Sequence, residues 1–250
     1  MGNPDSEKAA GKIDTVAQEA VKAETTSRPK REYRTLAFQV ALFAAIAAFA
    51  VLTFMVSSTP LFSLDLQITR GLQQINSPLF AVVMEWISWP GFLPQNIIIP
   101  VVLAGLLYSF GLRWEAVTAL VAAFVPGFVN LLVKQMIGRP RPAGDLVDVI
   151  SILDSYSFPS GHVMFYVGFF GFLYFLAFTI LKHSWMRTLL LIFFGSLILF
   201  VGVSRIYLGH HWASDILGAS LLGGLSLVFI LQFYRWGKKR FFARQPVAPG

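Results

Sequence analysis

The chain contains no cysteine, which excludes disulfides and thiolate metal sites. It is also poor in charge: Asp, Glu, Lys and Arg make up 13% of its 250 residues, where soluble domains carry about a quarter. Its apolar runs lack the alternation with polar residues that marks a membrane β-strand, so a barrel is disfavoured. No cleavable signal is visible, because the first apolar run begins near Leu36 and is too long for a signal-peptide core. The net charge of +7 does not point to nucleic acid, since the basic residues flank apolar segments instead of lining one face with interleaved aromatics.

What the chain has in excess is apolar length. Hydrophobic residues make up 56% and the mean hydropathy is +0.65. Runs of about 20 apolar residues recur, each long enough to cross a hydrocarbon core of roughly 30 Å as a helix. The expected fold class is therefore an all-α, polytopic membrane protein.

Residues 1–34 are polar and of mixed charge, too poor in apolar surface for a core, and read as a disordered cytoplasmic tail. A weak amphipathic helix over Ile13 to Ala23 and a myristoylation pattern at Gly2 and Ser6 are less economical readings of that tail. Six spans are expected within a membrane domain at 35–236. The first covers about 36–56, the second about 95–111, and the others about 115–133, 162–181, 187–203 and 212–234. Between the first two lies a loop at 57–77 with a short amphipathic helix around Leu64 to Ile75. Pro90, Gly91, Pro94 and Pro100 then interrupt the next apolar region, leaving 79–89 as an interfacial or partly inserted helix. Residues 237–250 form a basic tail.

Orientation follows from Lys and Arg near the span ends. An inside N-terminus gives the cytoplasmic side the cluster at 28–34, Arg113, Lys182, Arg187 and the C-terminal basic group. The other side receives only Arg70, Lys134, Arg139, Arg141 and Arg205. Four of those five sit against span ends that the insertion rule disfavours, so something other than topology keeps them there.

They lie in two short segments, Lys134 to Pro142 ("KQMIGRPRP") and Ser204 to Asp215 ("SRIYLGHHWASD"), and a third, Ser157 to His162 ("SFPSGH"), emerges on the same face. Lys134 is a point charge, whereas Arg141 and Arg205 are planar forks suited to phosphate oxygens. Ser160 is expected as the N-cap of the fourth span, with Gly161 allowing close backbone approach and His162 in the first turn, where a general acid can protonate a leaving oxygen. The sixth helix is expected to begin near His210 or His211. At about 100° per residue, Asp215 then shares a face with His211 and not with His210. A carboxylate on one ring nitrogen leaves the other free to attack. Snorkelling cations, a simple helix cap and a chance His–Asp spacing are the plainer readings of each segment alone; their convergence on one face favours a site.

Lys134, six residues, then Arg141-Pro142; Pro159-Ser160-Gly161-His162; and Ser204-Arg205, five residues, His211, three residues, Asp215: together these resemble the three-part signature of the type 2 phosphatidic acid phosphatase superfamily. The resemblance covers about 36–236. It implies a six-helix membrane phosphatase that needs no metal or other cofactor and acts on lipid phosphates or diphosphates at the outer membrane surface. Candidate substrates are undecaprenyl diphosphate, phosphatidylglycerophosphate and phosphatidic acid. Carried over by position, His211 is the nucleophile, Asp215 orients it, and His162 protonates the leaving group and then activates water. Lys134, Arg141, Arg205, Ser160 and Gly161 cradle the phosphoryl oxygens. Transfer to a lipid or sugar acceptor through the same phosphohistidine is the alternative. A non-catalytic lipid binder is disfavoured because no signature residue is lost, and soluble vanadate-dependent halide oxidation is disfavoured by the six spans. The resemblance gives no partner beyond a membrane lipid substrate.

Four sets of polar residues stand outside the signature. Arg139 is expected to face headgroups, with a fourth phosphate contact as the less favoured reading. Asp145, Asp148 and Asp154 are read as a solvated loop, since their spacing fits no EF-hand. Glu85, beside Trp86 and Trp89, reads as interfacial, and His183 as a topology residue.

Overall fold

The structure, a computed structural model, describes residues 35–242. The polar tail at 1–34, with its amphipathic stretch and Gly2–Ser6 pattern, and residues 243–250 of the basic tail lie outside the described residues. The described residues form helices α1 (Thr35–Ser58), α2 (Ser63–Gln73), α3 (Pro78–Ser88), α4 (Gln95–Ser109), α5 (Arg113–Ile137), α6 (Gly161–Ile180), α7 (Trp185–Tyr207) and α8 (Ala213–Phe242). No strand occurs among them. The chain divides into two units between Ala45 and Ile46, inside α1; the sites described below lie wholly in the second.

Helices α1, α5, α6, α7 and α8 are each long and apolar enough to cross a membrane. The sixth crossing differs from expectation. Helix α4 has 15 residues, roughly 22 Å of rise, which is short of the hydrocarbon thickness. It becomes long enough only together with α3, with which it makes a pair bent by 64°. Pro90, Gly91 and Pro94 lie at the bend, where a 3₁₀ turn, Trp89–Gly91, separates the halves. The 79–89 segment thus makes with α4 either a broken span or a re-entrant loop, and it is begun by Pro78 at the first helical position and by Ser77, whose hydroxyl accepts from the Phe80 amide.

Helix α6 is the axis of the bundle, with 67% of its span buried. Its Phe165, Tyr166, Phe169, Phe170 and Phe172 interlock with Ala119, Ala122 and Ala123 of α5, Val201 of α7, and Ala219 and Ile230 of α8. Small residues on α5 let the backbones close, which matters where lipid supplies no hydrophobic drive between helices. At Gly168 of α6 the two backbones come close: an added Cβ would meet Pro126 Cγ at 2.6 Å and the Ala122 carbonyl at 2.8 Å. Residues Tyr166–Phe170 here form a π-helical segment.

At one edge of the bundle Glu115 ties α5 to α8. It is buried, accepts from Tyr234 Oη at 2.8 Å and pairs with Lys238 at 2.6 Å. Helix α8 accordingly runs on past Trp236 to Phe242. His183 pairs with Arg187 at 2.8 Å beside the Ser184 cap of α7, and Glu85 and Trp86 of α3 are exposed. The opposite edge collects the C-terminal ends of α5 and α7 and the N-terminal ends of α6 and α8. All three charged segments meet there.

Candidate active site

Each segment is fixed by its own backbone device. Helix α5 ends at Gly138, whose left-handed φ of 67° closes the last turn with an amide bond to the Lys134 carbonyl. This aims the chain at 139–142 back across the bundle edge. Asn130, one turn before Lys134, donates to the Pro159 carbonyl at 2.8 Å, and its Oδ1 lies 3.2 Å from where a Cβ on Gly161 would stand. That bond anchors the Pro159–His162 segment to α5. In the third segment, Gly209 takes a φ of 68° directly against the Asp148 carbonyl. The turn is closed by the amides of His210 and His211, which donate to the Arg205 carbonyl at 3.1 and 3.2 Å.

Helix α8 begins at Ala213, not at the histidines. Both histidines therefore sit in the preceding turn, and helical phase is not what separates them. Asp215 is the third helical residue and accepts from the Trp212 amide at 2.8 Å through Oδ2. The same oxygen takes the Ser157 hydroxyl and lies 3.4 Å from His211 Nδ1. His211 Nε2 points the other way, 3.2 Å from Arg141 Nη1. His210 instead turns its Nε2 to Ser151 Oγ at 2.8 Å, and its carbonyl accepts from Arg141 Nη1 at 2.5 Å.

The surrounding groups form a cavity of about 720 Å³ lined by Lys134, Arg141, Gly161, His162, Arg205 and His211, with Asn96, Ala123, Gly127 and Phe165 running toward the bundle interior. Arg205 is wholly buried. Its Nη1 donates to Ser88 Oγ at 3.2 Å, and Phe92 covers its guanidinium at 4.9 Å, but its Nε and Nη2 have no partner. Ser160 Oγ and His162 Nε2 are also buried without partners. Ser160 holds the N-cap position of α6 without capping through its side chain. Lys134 Nζ donates to the Tyr156 carbonyl, and Arg141 Nε to the Ser155 carbonyl at 2.7 Å. Buried polar atoms are almost always satisfied, so this cluster of free donors around one cavity marks a place for an oxygen-rich ligand.

Burial, reinforced by the Arg141, Lys134 and Arg205 cations, holds the His211 imidazole well below the usual histidine range. The ring is neutral and keeps a lone pair. Burial and the same two arginines lower His210 to about 3. Burial also lowers Arg141 from its ordinary value, an effect that Asp215 opposes.

The structure thus brings together His211, Asp215, His162, Lys134, Arg141, Ser160, Gly161 and Arg205. Two expectations need correction. Arg139 does not face headgroups: its side chain is fully buried, pairing with Asp215 at 2.5 Å and with Asp65 at 2.8 Å. A guanidinium with carboxylates on two sides has no reason to go to the surface. The start of α8 is the second correction, given above. Asp145, Asp148 and Asp154 are exposed, and among the described residues no three His, Asp or Glu gather as metal ligands.

Several contributors were missed. Ser88, Phe92 and Ser157 touch site residues directly, Asn130 holds the Pro159 carbonyl just before Ser160, and Asp65 reaches Asp215 through Arg139. For Phe92 and Gly91 a signal existed: a Trp-Pro-Gly-Phe-Leu-Pro break inside an apolar span is tolerated only where it lines a cavity or is buried in protein. Phe92 meets His162 edge to face at 4.6 Å, and an added Cβ on Gly91 would run into the His162 ring.

A family profile described as the PAP2 superfamily matches residues 115–239. Phosphatidylglycerophosphatase B of Bacillus subtilis (strain 168) is 28% identical over 197 residues, covering 77% of this chain and 94% of that protein. Two crystal structures share the fold. The first transmembrane PAP2-type phosphatidylglycerolphosphate phosphatase from Bacillus subtilis superposes with a TM-score of 0.69 at 24% identity, over 82% of this chain and 98% of that one. LpxE of Aquifex aeolicus superposes with a TM-score of 0.53 at 24% identity, over 68% and 96%.

Proposed function

The chain belongs to the PAP2 superfamily, whose members include membrane lipid phosphatases, and we propose that it hydrolyses a lipid phosphate or diphosphate through a phosphohistidine on His211, in two steps for a monoester. One observation carries the reading: Arg205, with its unpartnered Nε and Nη2, and His162, with its unpartnered Nε2, line a single cavity together with Lys134, Arg141 and His211, and the unpartnered Ser160 Oγ lies next in sequence to Gly161 of the same lining.

In the first step the substrate phosphoryl group sits among Lys134, Arg141 and Arg205, with Ser160 Oγ and the Gly161 amide at the start of α6 as further donors. The free atoms of Arg205 take oxygens without breaking any existing bond. Arg141 exchanges His211 Nε2 for a phosphoryl oxygen, which uncovers the nucleophile. His211 Nε2 forms its bond to phosphorus as the bond to the lipid oxygen breaks, and His162 Nε2 delivers a proton to that oxygen. Asp215 holds the Nδ1 proton of His211 and balances the charge on the ring. In the second step His162 takes a proton from water, the water oxygen bonds to phosphorus, and the P–N bond breaks. Inorganic phosphate leaves and both histidines are restored.

Phosphatidylglycerophosphate is the first substrate to test, since a relative covering most of this chain is named for acting on it; phosphatidic acid and undecaprenyl diphosphate follow. The Lys and Arg distribution orients the termini inward and the site toward the outer surface. Purified protein in detergent, with excess chelator present, is expected to release phosphate from short-chain phosphatidylglycerophosphate, and orthovanadate is expected to inhibit as a transition-state mimic. Turnover abolished by chelation, or undiminished in His211→Ala, would overturn the mechanism. Recovery of a phosphorylated acceptor in place of inorganic phosphate would make the enzyme a phosphotransferase.

A further inference from the structure

We propose that Asp65 and Arg139 form a buried charge clamp that positions Asp215, and through it His211, so that α2 is part of the catalytic apparatus. The proposal rests on the reading of His211 as nucleophile.

The clamp is built from a full set of short bonds. Arg139 reaches Asp215 Oδ1 through Nη1 at 2.5 Å and Asp65 Oδ2 through Nη2 at 2.8 Å. Its Nε donates to the Pro60 carbonyl at 2.9 Å and its Nη1 also to Ser214 Oγ at 2.7 Å. The Phe62 ring lies 5.6 Å from the guanidinium. Asp65 in turn accepts from the Ser214 amide at 2.8 Å and from Ser214 Oγ at 2.6 Å. Ser214 is the second residue of α8, so Asp65 holds the start of the helix that carries Asp215. All three charged residues are at most 3% exposed.

Burying three charges is costly, and a packed apolar cluster would join α2 to α8 more cheaply. The arrangement has a different consequence. Arg139 occupies Oδ1 of Asp215 and leaves Oδ2 on the side of His211, where the Trp212 amide and Ser157 hydroxyl fix the carboxylate rotation. Two carboxylates against one guanidinium leave a net −1 beside the imidazole. Without Asp65, Arg139 would pair with Asp215 alone and cancel the charge that stabilises His211 as it gains its bond to phosphorus.

The test is a double-mutant cycle in detergent on a short-chain lipid phosphate. Asp65→Asn keeps the side-chain shape and removes the charge; kcat is expected to fall about 10–100-fold with KM within about twofold, because phosphate-binding groups are untouched. Arg139→Gln should cost more, leaving two uncompensated carboxylates. Since Asp65 acts through Arg139, the double variant should have a kcat at or above that of Arg139→Gln. Multiplicative losses, as expected of two independent structural contacts, or wild-type kcat in Asp65→Asn, would overturn the proposal. If Arg139→Gln does not fold, adding Asp65→Asn to Asp215→Asn serves instead: no further loss supports the clamp, and a further tenfold loss refutes it. A wild-type protein that hydrolyses no phosphoester would sink the functional reading instead. Orthovanadate affinity, which needs an oriented His211 but no turnover, then carries the same comparison, with unchanged affinity in Asp65→Asn refuting the clamp.

Discussion

Gly91→Ala separates the role of His162 from that of the phosphate cradle, because the three atoms nearest an added Cβ on Gly91 all belong to the His162 ring. An added Cβ would stand 2.9 Å from both Cγ and Nε2 of His162, and nearer still to Cδ2. Ordinary contact begins at 3.4 Å, so the nearest ring atom, Cδ2, must withdraw by about 1 Å, and Phe92, at 4.6 Å, restricts where the ring can go. A displacement approaching 1 Å in a reacting group costs roughly 10²-fold, about 2.7 kcal/mol of barrier. That loss should appear only where the leaving oxygen needs its proton. Single-turnover kinetics with a short-chain lipid phosphate are therefore expected to slow about 100-fold, while the first-turnover burst from p-nitrophenyl phosphate, whose leaving group departs unprotonated, stays within a few-fold of wild type. Equal slowing of both would mean that the methyl disturbs phosphate binding or His211. A wild-type rate on the lipid would mean that His162 does not act from the position it holds.

His211→Ala should lower kcat by about 10⁴-fold or more, whereas His210→Ala, which loses a bond to Ser151 outside the cavity, should retain most activity; equal losses in phosphate-release assays would contradict the assignment. His210 is lowered to about 3 in the folded protein from about 6.5 unfolded. Its neutral form thus stabilises the fold above pH 6.5, and that contribution fades as pH falls from 6.5 toward 3. Thermal unfolding in detergent should lose less on acidification for His210→Gln than for wild type. Glu115→Ala, which strands Tyr234 Oη and the partly exposed Lys238 at the other edge of the bundle, should cost about 1–3 kcal/mol of stability and leave kcat unchanged; a large kcat effect would show that the two edges are coupled.

The spans and the site were legible to different depths. Long apolar runs announce helices by length alone, and cations that defy the insertion rule announce chemistry, so α5 to α8 and the three segments could be found one residue at a time. The pairing of His211 with Asp215 was reached through a helical phase that does not exist, since α8 starts at Ala213. The four-residue spacing still works because Asp215 bends back to cap its own helix at Trp212 and meets the turn that carries His211. Arg139 and Asp65 were unreadable for a simple reason. Arg139 stands 74 positions from Asp65 and 76 from Asp215 in sequence, and a lone Asp on a short amphipathic helix looks like any solvated charge. Phe92 and Ser88 were hidden by the break between α3 and α4, which reads as an interruption of a span before it reads as the wall of a cavity.

The charges close in a way that explains why so many cations sit at one membrane edge. Lys134, Arg141 and Arg205 face the cavity, and behind His211 the clamp contributes a net −1. The formal balance is +2, the complement of a phosphate monoester dianion, with Asp154 exposed to solvent at the rim. A site with only the three cations would leave the nucleophile without its counter-ion; one without the clamp's arginine would oppose the substrate with two carboxylates. Because Arg205 is wholly buried and Lys134 nearly so, this attraction is shielded from bulk ions. KM for a short-chain lipid phosphate should therefore change little between 0.05 and about 0.5 M salt, and a steep rise would place the recognising charges at the surface instead of in the cavity.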